Sequence, residues 1–402
     1  MAEAYIYDAV RTPRGRGDRR GALYEVKPIE LLTASLEALR RRGDLDPVLI
    51  DDLLIGCVTP VDDQGNNIAK AALLHAGWPA CVSGMQLNRF GASGLEAVNL
   101  AAMKVRSGWE RLVLAGGLES LSRVPMELDG GALVYDPELI NGVRYLPMGV
   151  AADLLATIEG FEREELDRYA LRSQQRAGRA CSEGYFEETV MPIYDRNGLL
   201  LLAEDECPRP NVTLEELSEL PPAYATLGEQ GFDALALQSF PGIAAVRHLH
   251  TTGTAYVRVD GAALVLIGDE DQGAALGCAP RARLVAAATA STDPGHLLEG
   301  ATPAARLALK RAGMQASDID LWECNETFAA VALKFQRDLN IDDDRYNVNG
   351  GAIALGHPLG ASGAMLLGTL LDELERRDMQ TGLVALAGAA GLGVAAIVER
   401  SK

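Results

Sequence analysis

The apolar pattern of the chain predicts an α/β protein made of two similar halves. Three landmarks carry this reading: DDLLIGC at 51–57, GASG at 91–94 and LVLAGG at 112–117 are answered, in order, by DIDLWEC at 318–324, GASG at 360–363 and LVALAG at 383–388. The first gap is 34 residues in one half (57 to 91) and 36 in the other (324 to 360), and the second is 18 (94 to 112) against 20 (363 to 383). Agreement of order and spacing together separates an internal duplication from a chance recurrence of short glycine motifs.

Each half reads as an apolar strand, a loop, a helix opening at GASG and a further apolar strand. LEAVNLAAMKV and AMLLGTLLDEL supply the helices, with apolar residues at helical spacing. Strands alternating with helices imply sheets covered on both faces. The predicted division is an N-terminal half, 1–125 with about 250–275, and a C-terminal half, 276–402. Between them, 126–249 is polar and less periodic, with PMELDGG, DRNG and PRPNVTLEEL as turn signals. Within it, 163–186 reads as one amphipathic helix. This segment is expected to be an inserted loop domain covering a site built by the two halves.

Composition narrows the function classes. At 402 residues and 48% hydrophobic, the chain is long enough for well-buried cores. Lys+Arg number 37 against 56 Asp+Glu, net −19, which argues against nucleic acid or an anionic membrane as partner. No apolar run approaches the roughly 20 residues of a membrane span and the start MAEAYIYDAVRTP lacks a leader pattern, so a cytoplasmic location is the default expectation. The six cysteines, at 57, 81, 181, 207, 278 and 324, show no C-x-x-C spacing, so neither a metal site nor a disulfide framework is expected.

RTPRGRG at 11–17, NRFGASGLEAV at 88–98, AGGLESLSR at 115–123, YLPMG at 145–149, NETFA at 325–329 and NVNGGAIALGHPLGASG at 347–363 together resemble the thiolase family, especially acetyl-CoA acetyltransferases. The resemblance runs nearly end to end. It implies a duplicated five-layer α/β/α/β/α core with a loop domain, a homodimer or homotetramer, a coenzyme A thioester as substrate and no bound cofactor. It also implies a site with a nucleophilic cysteine, an acid/base cysteine, a histidine in GHP, an asparagine in NEAF that holds a water, and two oxyanion holes.

Carried over residue by residue, the resemblance breaks at the sulfur atoms. The nucleophile's position holds Gly91, and the acid/base cysteine's position in the C-terminal glycine loop holds Ala387. A thiol at a helix start has its pKa lowered by unpaired N–H groups, which is why the chemistry belongs at such a turn. Gly91 keeps the turn and loses the thiol. Covalent catalysis opens the acyl-transfer route and acid–base catalysis contributes about 10² to 10⁴ in rate, so loss of both is expected to abolish ordinary thiolysis. His357 and Asn325 remain as catalytic candidates, and the backbone N–H groups of Gly91 and Ala389 as a second oxyanion hole. His357 retains three useful acts: polarising a thioester carbonyl, stabilising an enolate, or working as a base near its ordinary pKa of about 6.5. Met148 matches a loop residue lining the acyl pocket of the family. Tyr256 replaces the serine that contacts the pantetheine arm and is expected to narrow the tunnel or to supply a phenol. Cys324 ends an apolar strand and reads as a small buried hydrophobe.

Changes in three separate loops point to natural divergence rather than an engineered acetyltransferase. Two functions compete: an enzyme that binds an acyl-CoA and works without a covalent intermediate, by retro-aldol or other enolate chemistry, and a non-catalytic pseudoenzyme subunit partnering another protein. Binding of an acyl-CoA discriminates between them.

Overall fold

The computed structural model describes residues 3–293 and 298–401. The N-terminal half supplies strands β1 (Tyr5–Arg11), β2 (Asp52–Gly56), β3 (Ser83–Leu87), β4 (Leu112–Ser120) and β5 (Val259–Gly268), with helices α1 (Pro28–Arg42), α2 (Ile68–His75) and α3 (Ser93–Ser107). The intervening segment carries α4 (Met148–Glu159) and α5 (Arg163–Ser182), and among the described residues it adds no strand to the main sheet. In the C-terminal half lie β6 (Ala282–Ser291), β7 (Leu321–Cys324), β8 (Thr381–Ala387) and β9 (Leu392–Arg400), with α6 (Ala301–Ala312), α7 (Ala329–Asp338) and α8 (Ser362–Arg376).

The strand order is β7-β8-β9-β6-β1-β5-β4-β2-β3, with the two-residue strand Gly15–Arg16 paired to β5. Pairing repeats between halves. β3, β2 and β4 are parallel and then β5 and β1 antiparallel, while β7 and β8 are parallel and then β9 and β6 antiparallel. The counterpart of β3 shrinks in the second half to a single parallel bridge, Trp322 with Tyr346. Among the described residues two pairs, Tyr5 with Arg283 and Ile6 with Ala282, join the half-sheets.

Period-two alternation along the strands sorts their side chains into layers. Leu112 and Leu114 of β4 pack outward with Leu31, Leu32 and Leu36 of α1, whereas Val113 and Ala115 face Leu95 and Val98 of α3. In the other half Leu383 and Ala385 of β8 pack with Ala304 and Ala308 of α6, while Val384 and Leu386 face Leu367 and Leu370 of α8. Outer helices, sheet, central helices α3 and α8, sheet and outer helices make five layers. β4 is buried along its whole length because both of its faces are covered.

The repeated GASG motif has a steric reason. A Cβ on Gly94 would meet Gly360 O at 2.5 Å, and one on Gly363 would meet the backbone N of Leu95 at 2.2 Å. The starts of the two central helices therefore touch through backbone, and only glycine permits it. Helix α5 stops at Ser182, short of the expected 186, because Gly184 takes φ +73° and turns the chain. The six cysteines are free thiols. No helix among the described residues is long and apolar enough to cross a membrane.

Candidate active site

Where the central helices begin, the two halves and the intervening segment enclose a cavity of about 330 Å³. Gly91, at the turn into α3, and Ala387 with Ala389, in the turn from β8 to β9, form part of its wall; His357, Tyr256 and Met148 line it as well. Six of the seven residues singled out from sequence thus meet in one place. The segment after β4 supplies another wall, including Met126, Glu127 and Tyr145.

His357 sits where a side chain at position 91 would go. An ideal Cβ on Gly91 falls 2.8 Å from His357 Nε2 and 3.9 Å from Ala387 O. A side chain at position 91 would therefore press on the His357 ring and reach van der Waals range of the Ala387 main chain. Phe90, immediately before, adopts φ +49°, a left-handed conformation that turns strand into helix. The imidazole is only 2% exposed, its Nδ1 lies 2.5 Å from Ser362 Oγ, and its backbone N–H donates to Val257 O at 2.8 Å. Burial, helped by the positive charge of Arg14, pushes its pKa down to about 3. His357 is consequently a neutral imidazole at physiological pH. The expectation of a base near pH 6.5 is corrected: desolvation disfavours the protonated form that such a base must reach.

Asn325 is the residue that stands apart. It is 1% exposed and absent from the cavity lining. Its Nδ2 donates to Ala387 O at 3.0 Å and its Oδ1 accepts from Ala387 N at 3.1 Å. A side-chain amide matches a peptide group donor for acceptor, so Asn325 latches the main chain of position 387 from behind. Cys324, just before it, is fully buried; burial pushes its thiol up to about 12, against a role as nucleophile.

Tyr256 stands edge-on to His357, ring centroids 5.4 Å apart at 87°, and its hydroxyl donates to Met126 Sδ at 3.3 Å. Burial, with smaller contributions from Tyr224 and Glu127, raises its phenol pKa, which makes it a proton donor rather than an acceptor. Met148 is the first residue of α4. Glu127 carries an exposed carboxylate on a left-handed backbone, φ +66°. No group of three or more potential metal ligands occurs among the described residues.

Several site residues escaped the sequence reading. Ser362 belongs to the second GASG and was legible only as part of a repeat. Glu119, within AGGLES, is fully buried, accepts from the N–H groups of Val58, Thr59 and Gly360 at 2.9, 3.1 and 3.1 Å, and so ties the first half to the start of the second central helix. Its burial pushes the carboxyl pKa up.

Fold and site together define a duplicated α/β protein with its site where two helix starts meet. Residues 4–230 match the model of the thiolase N-terminal domain and residues 278–400 that of the thiolase C-terminal domain. The chain belongs to the thiolase family. It is 38% identical to a 3-ketoacyl-CoA thiolase of Cronobacter sakazakii over 409 residues, covering 100% of both chains. To the 3-oxoadipyl-CoA/3-oxo-5,6-dehydrosuberyl-CoA thiolase of Escherichia coli it is 37% identical over 422 residues, again covering 100% of both. Its fold is similar to that of the Bacillus anthracis acetyl-CoA acetyltransferase, with TM-score 0.86, 32% identity, and coverage of 100% of this chain and 99% of the other.

Proposed function

We propose that this thiolase-family chain binds an acyl-CoA thioester, carries no acyl group covalently, and acts on the thioester through its enolate, retro-aldol cleavage of a β-hydroxyacyl thioester being the reaction its groups fit best. The observation that carries this reading is the cavity's content: neutral His357, the protonated phenol of Tyr256 and the carboxylate of Glu127 line one cavity, with no sulfur at positions 91 and 387. In the tautomer whose Nδ1 accepts from Ser362 Oγ, His357 has an Nε2–H to give to the thioester oxygen, and the N–H groups of Gly91 and Ala389 offer a second polarising site. A neutral imidazole in such a place stabilises a developing enolate without itself releasing charge. Glu127 accepts the β-hydroxyl proton as the Cα–Cβ bond breaks; the bonding pair becomes the enolate, and protonation at Cα, with Tyr256 as donor, gives the shortened thioester and a carbonyl product. Asn325 fixes the main chain of Ala387 rather than touching substrate.

The test is calorimetric titration with acetyl-CoA and a longer acyl-CoA, followed by turnover of a panel of β-hydroxyacyl-CoA thioesters. Binding and release of a carbonyl product are expected, with turnover lost in Glu127→Gln. Absence of binding to every thioester contradicts the reading. A second reading, a non-catalytic subunit that joins another chain, is favoured by apolar side chains left exposed: Met85 on β3, Met103 on α3 and Trp109, which is 89% exposed. Under that reading the protein recovered with a partner shows activity that belongs wholly to the partner.

A further inference from the structure

Away from the cavity, two histidines converge on one buried carboxylate, and their bonds fix different protonation states. Asp153, in the middle of α4, is wholly buried. Its Oδ1 accepts from the backbone N–H groups of Leu249 and His250 at 3.0 and 2.8 Å and from His250 Nδ1 at 2.8 Å. The other ring nitrogen of His250, Nε2, accepts from the backbone N–H of Ala330 at 3.3 Å, so that ring carries one proton and is neutral. His248 differs. Its Nδ1 lies 2.9 Å from Asp153 Oδ2 and its Nε2 lies 3.0 Å from Asp233 Oδ2. Carboxylate oxygens only accept, so both nitrogens must donate and the ring is an imidazolium.

The second carboxylate belongs to an outer flap. Residues 225–239 form a helical turn (Ala225–Leu227), a π-turn (Gly228–Phe232) and a short helix (Asp233–Ser239), in which Gly228, Leu235 and Ala236 are buried and the others exposed or half-buried. Gly228 backs onto the ion pair: a Cβ there would fall 2.5 Å from Asp233 Oδ1 and 2.6 Å from His248 Nε2. Beyond that pair, the guanidinium of Arg144 reaches Gln238 O and Ser239 Oγ only at 3.5 Å. Among the described residues, the charged groups that bond the imidazolium are Asp153 from α4 and Asp233 from the flap. Neighbouring charges are turned to other partners, Arg247 to Glu162 at 2.9 Å and Arg163 of α5 to Asp167 at 2.8 Å. The Tyr224 phenol near Asp153 stays protonated, because burial and the charge of Asp153 push its pKa up to about 12. Against desolvation, which favours the neutral ring, the bonds to Asp233 and Asp153 raise the His248 pKa above its ordinary value.

The flap adjoins the cavity wall. Tyr224, just before it, packs on Gly149, the neighbour of Met148, where a Cβ would fall 2.1 Å from the tyrosine ring. Tyr224 is also edge-on to Phe328, with centroids 5.8 Å apart, and Phe328 is edge-on to Tyr256 at 6.0 Å.

We propose that His248 is a pH-sensitive latch: as an imidazolium bridging Asp153 and Asp233 it holds the flap 225–239 against α4, and on losing a proton it presents a lone pair to a carboxylate and releases the flap beside the cavity wall. The closed state binds the proton more tightly than the open one. Closure is therefore complete below about pH 6.5, the ordinary histidine value, and weakens as pH rises through the higher pKa of the closed state.

The test is hydrogen exchange of the full-length protein, followed by mass spectrometry between about pH 5.5 and about 9 and corrected for the intrinsic pH dependence of exchange. Peptides from 225–239 are expected to lose protection several-fold above about pH 6.5, each unit by which the closed-state pKa exceeds that value giving about a 10-fold change. Peptides from α3 should hold theirs. In His248→Gln the flap should exchange at about pH 6 as fast as in the parent at about pH 9, with no step between. Asp233→Asn, whose amide bonds either protonation state of the ring, should flatten the step while keeping the flap protected. Histidine-ring NMR, with the His248 signal assigned by its absence in His248→Gln, should show a titration above about pH 6.5 in the parent. A ring that titrates at or below that value, equal flap protection at both ends of the pH range, a loss shared equally by α3, or a step that persists in His248→Gln overturns the proposal. If His248→Gln does not fold, the parent's pH profile and Asp233→Asn decide it.

Discussion

At the scale of single residues, the contact between Gly91 and His357 decides what the site can do. A methyl group at 91 would press on an imidazole held by Ser362 on one side and by its own backbone bond to Val257 on the other. Gly91→Ala should therefore destabilise the fold by about 1–3 kcal/mol, the usual cost of overpacking. In a His357→Ala background the same change should cost much less, a non-additivity that a denaturant double-mutant cycle measures; equal costs in both backgrounds would show that the contact is absent. The neutral state of His357 makes a second prediction. Its folded pKa of about 3 lies below the unfolded value of about 6.5, so the unfolded chain binds a proton first as pH falls. Stability should drop between about pH 6.5 and 3, this residue accounting for on the order of 4–5 kcal/mol of the loss. His357→Gln should flatten the stability curve in that window relative to the parent, and identical curves would contradict the buried neutral state. That His357 lines the cavity was legible in GHP, as was the company it keeps there with Gly91 and Ala387. Its protonation state was not, because desolvation depends on segments distant in sequence; nor was the turn of Asn325 toward the Ala387 backbone, which a motif alone does not specify.

Among the elements, strand β1 is anchored to the segment between the halves by a buried ion cluster. Arg11 and Arg14, at the end of β1 and just beyond it, both bond Asp205, at 2.7 and 3.0 Å, and all three side chains are at most 3% exposed. Removing the carboxylate strands two buried guanidinium groups. Asp205→Ala should cost about 3–5 kcal/mol in urea unfolding, and a loss below 1 kcal/mol would mean that solvent reaches the arginines. Strands and helices of the two halves were readable because periodicity and the duplicated landmarks are local signals. The cluster was not, since nothing near RTPRGRG points to a partner about 190 positions later. The missing counterpart of β3 in the second half was likewise hidden: NVNGG follows Tyr346 with two glycines, and the chain turns after one bridge.

For the whole molecule, duplication creates the site. The two half-sheets, joined among the described residues by two residue pairs, are also held together by the central layer, where α3 and α8 approach through glycine backbone and Glu119 of one half receives the N–H of Gly360 from the other. The cavity at that junction has glycine at position 91 and alanine at position 387 in its wall. Under the proposed function no acyl group is attached to the protein, and chemistry on a bound thioester proceeds with the substrate free. Intact-protein mass spectrometry during incubation with an acyl-CoA that the protein binds tests this most directly. An unchanged protein mass throughout turnover is expected; a transient acyl adduct on any residue, Cys324 included, would contradict a reaction without a covalent intermediate.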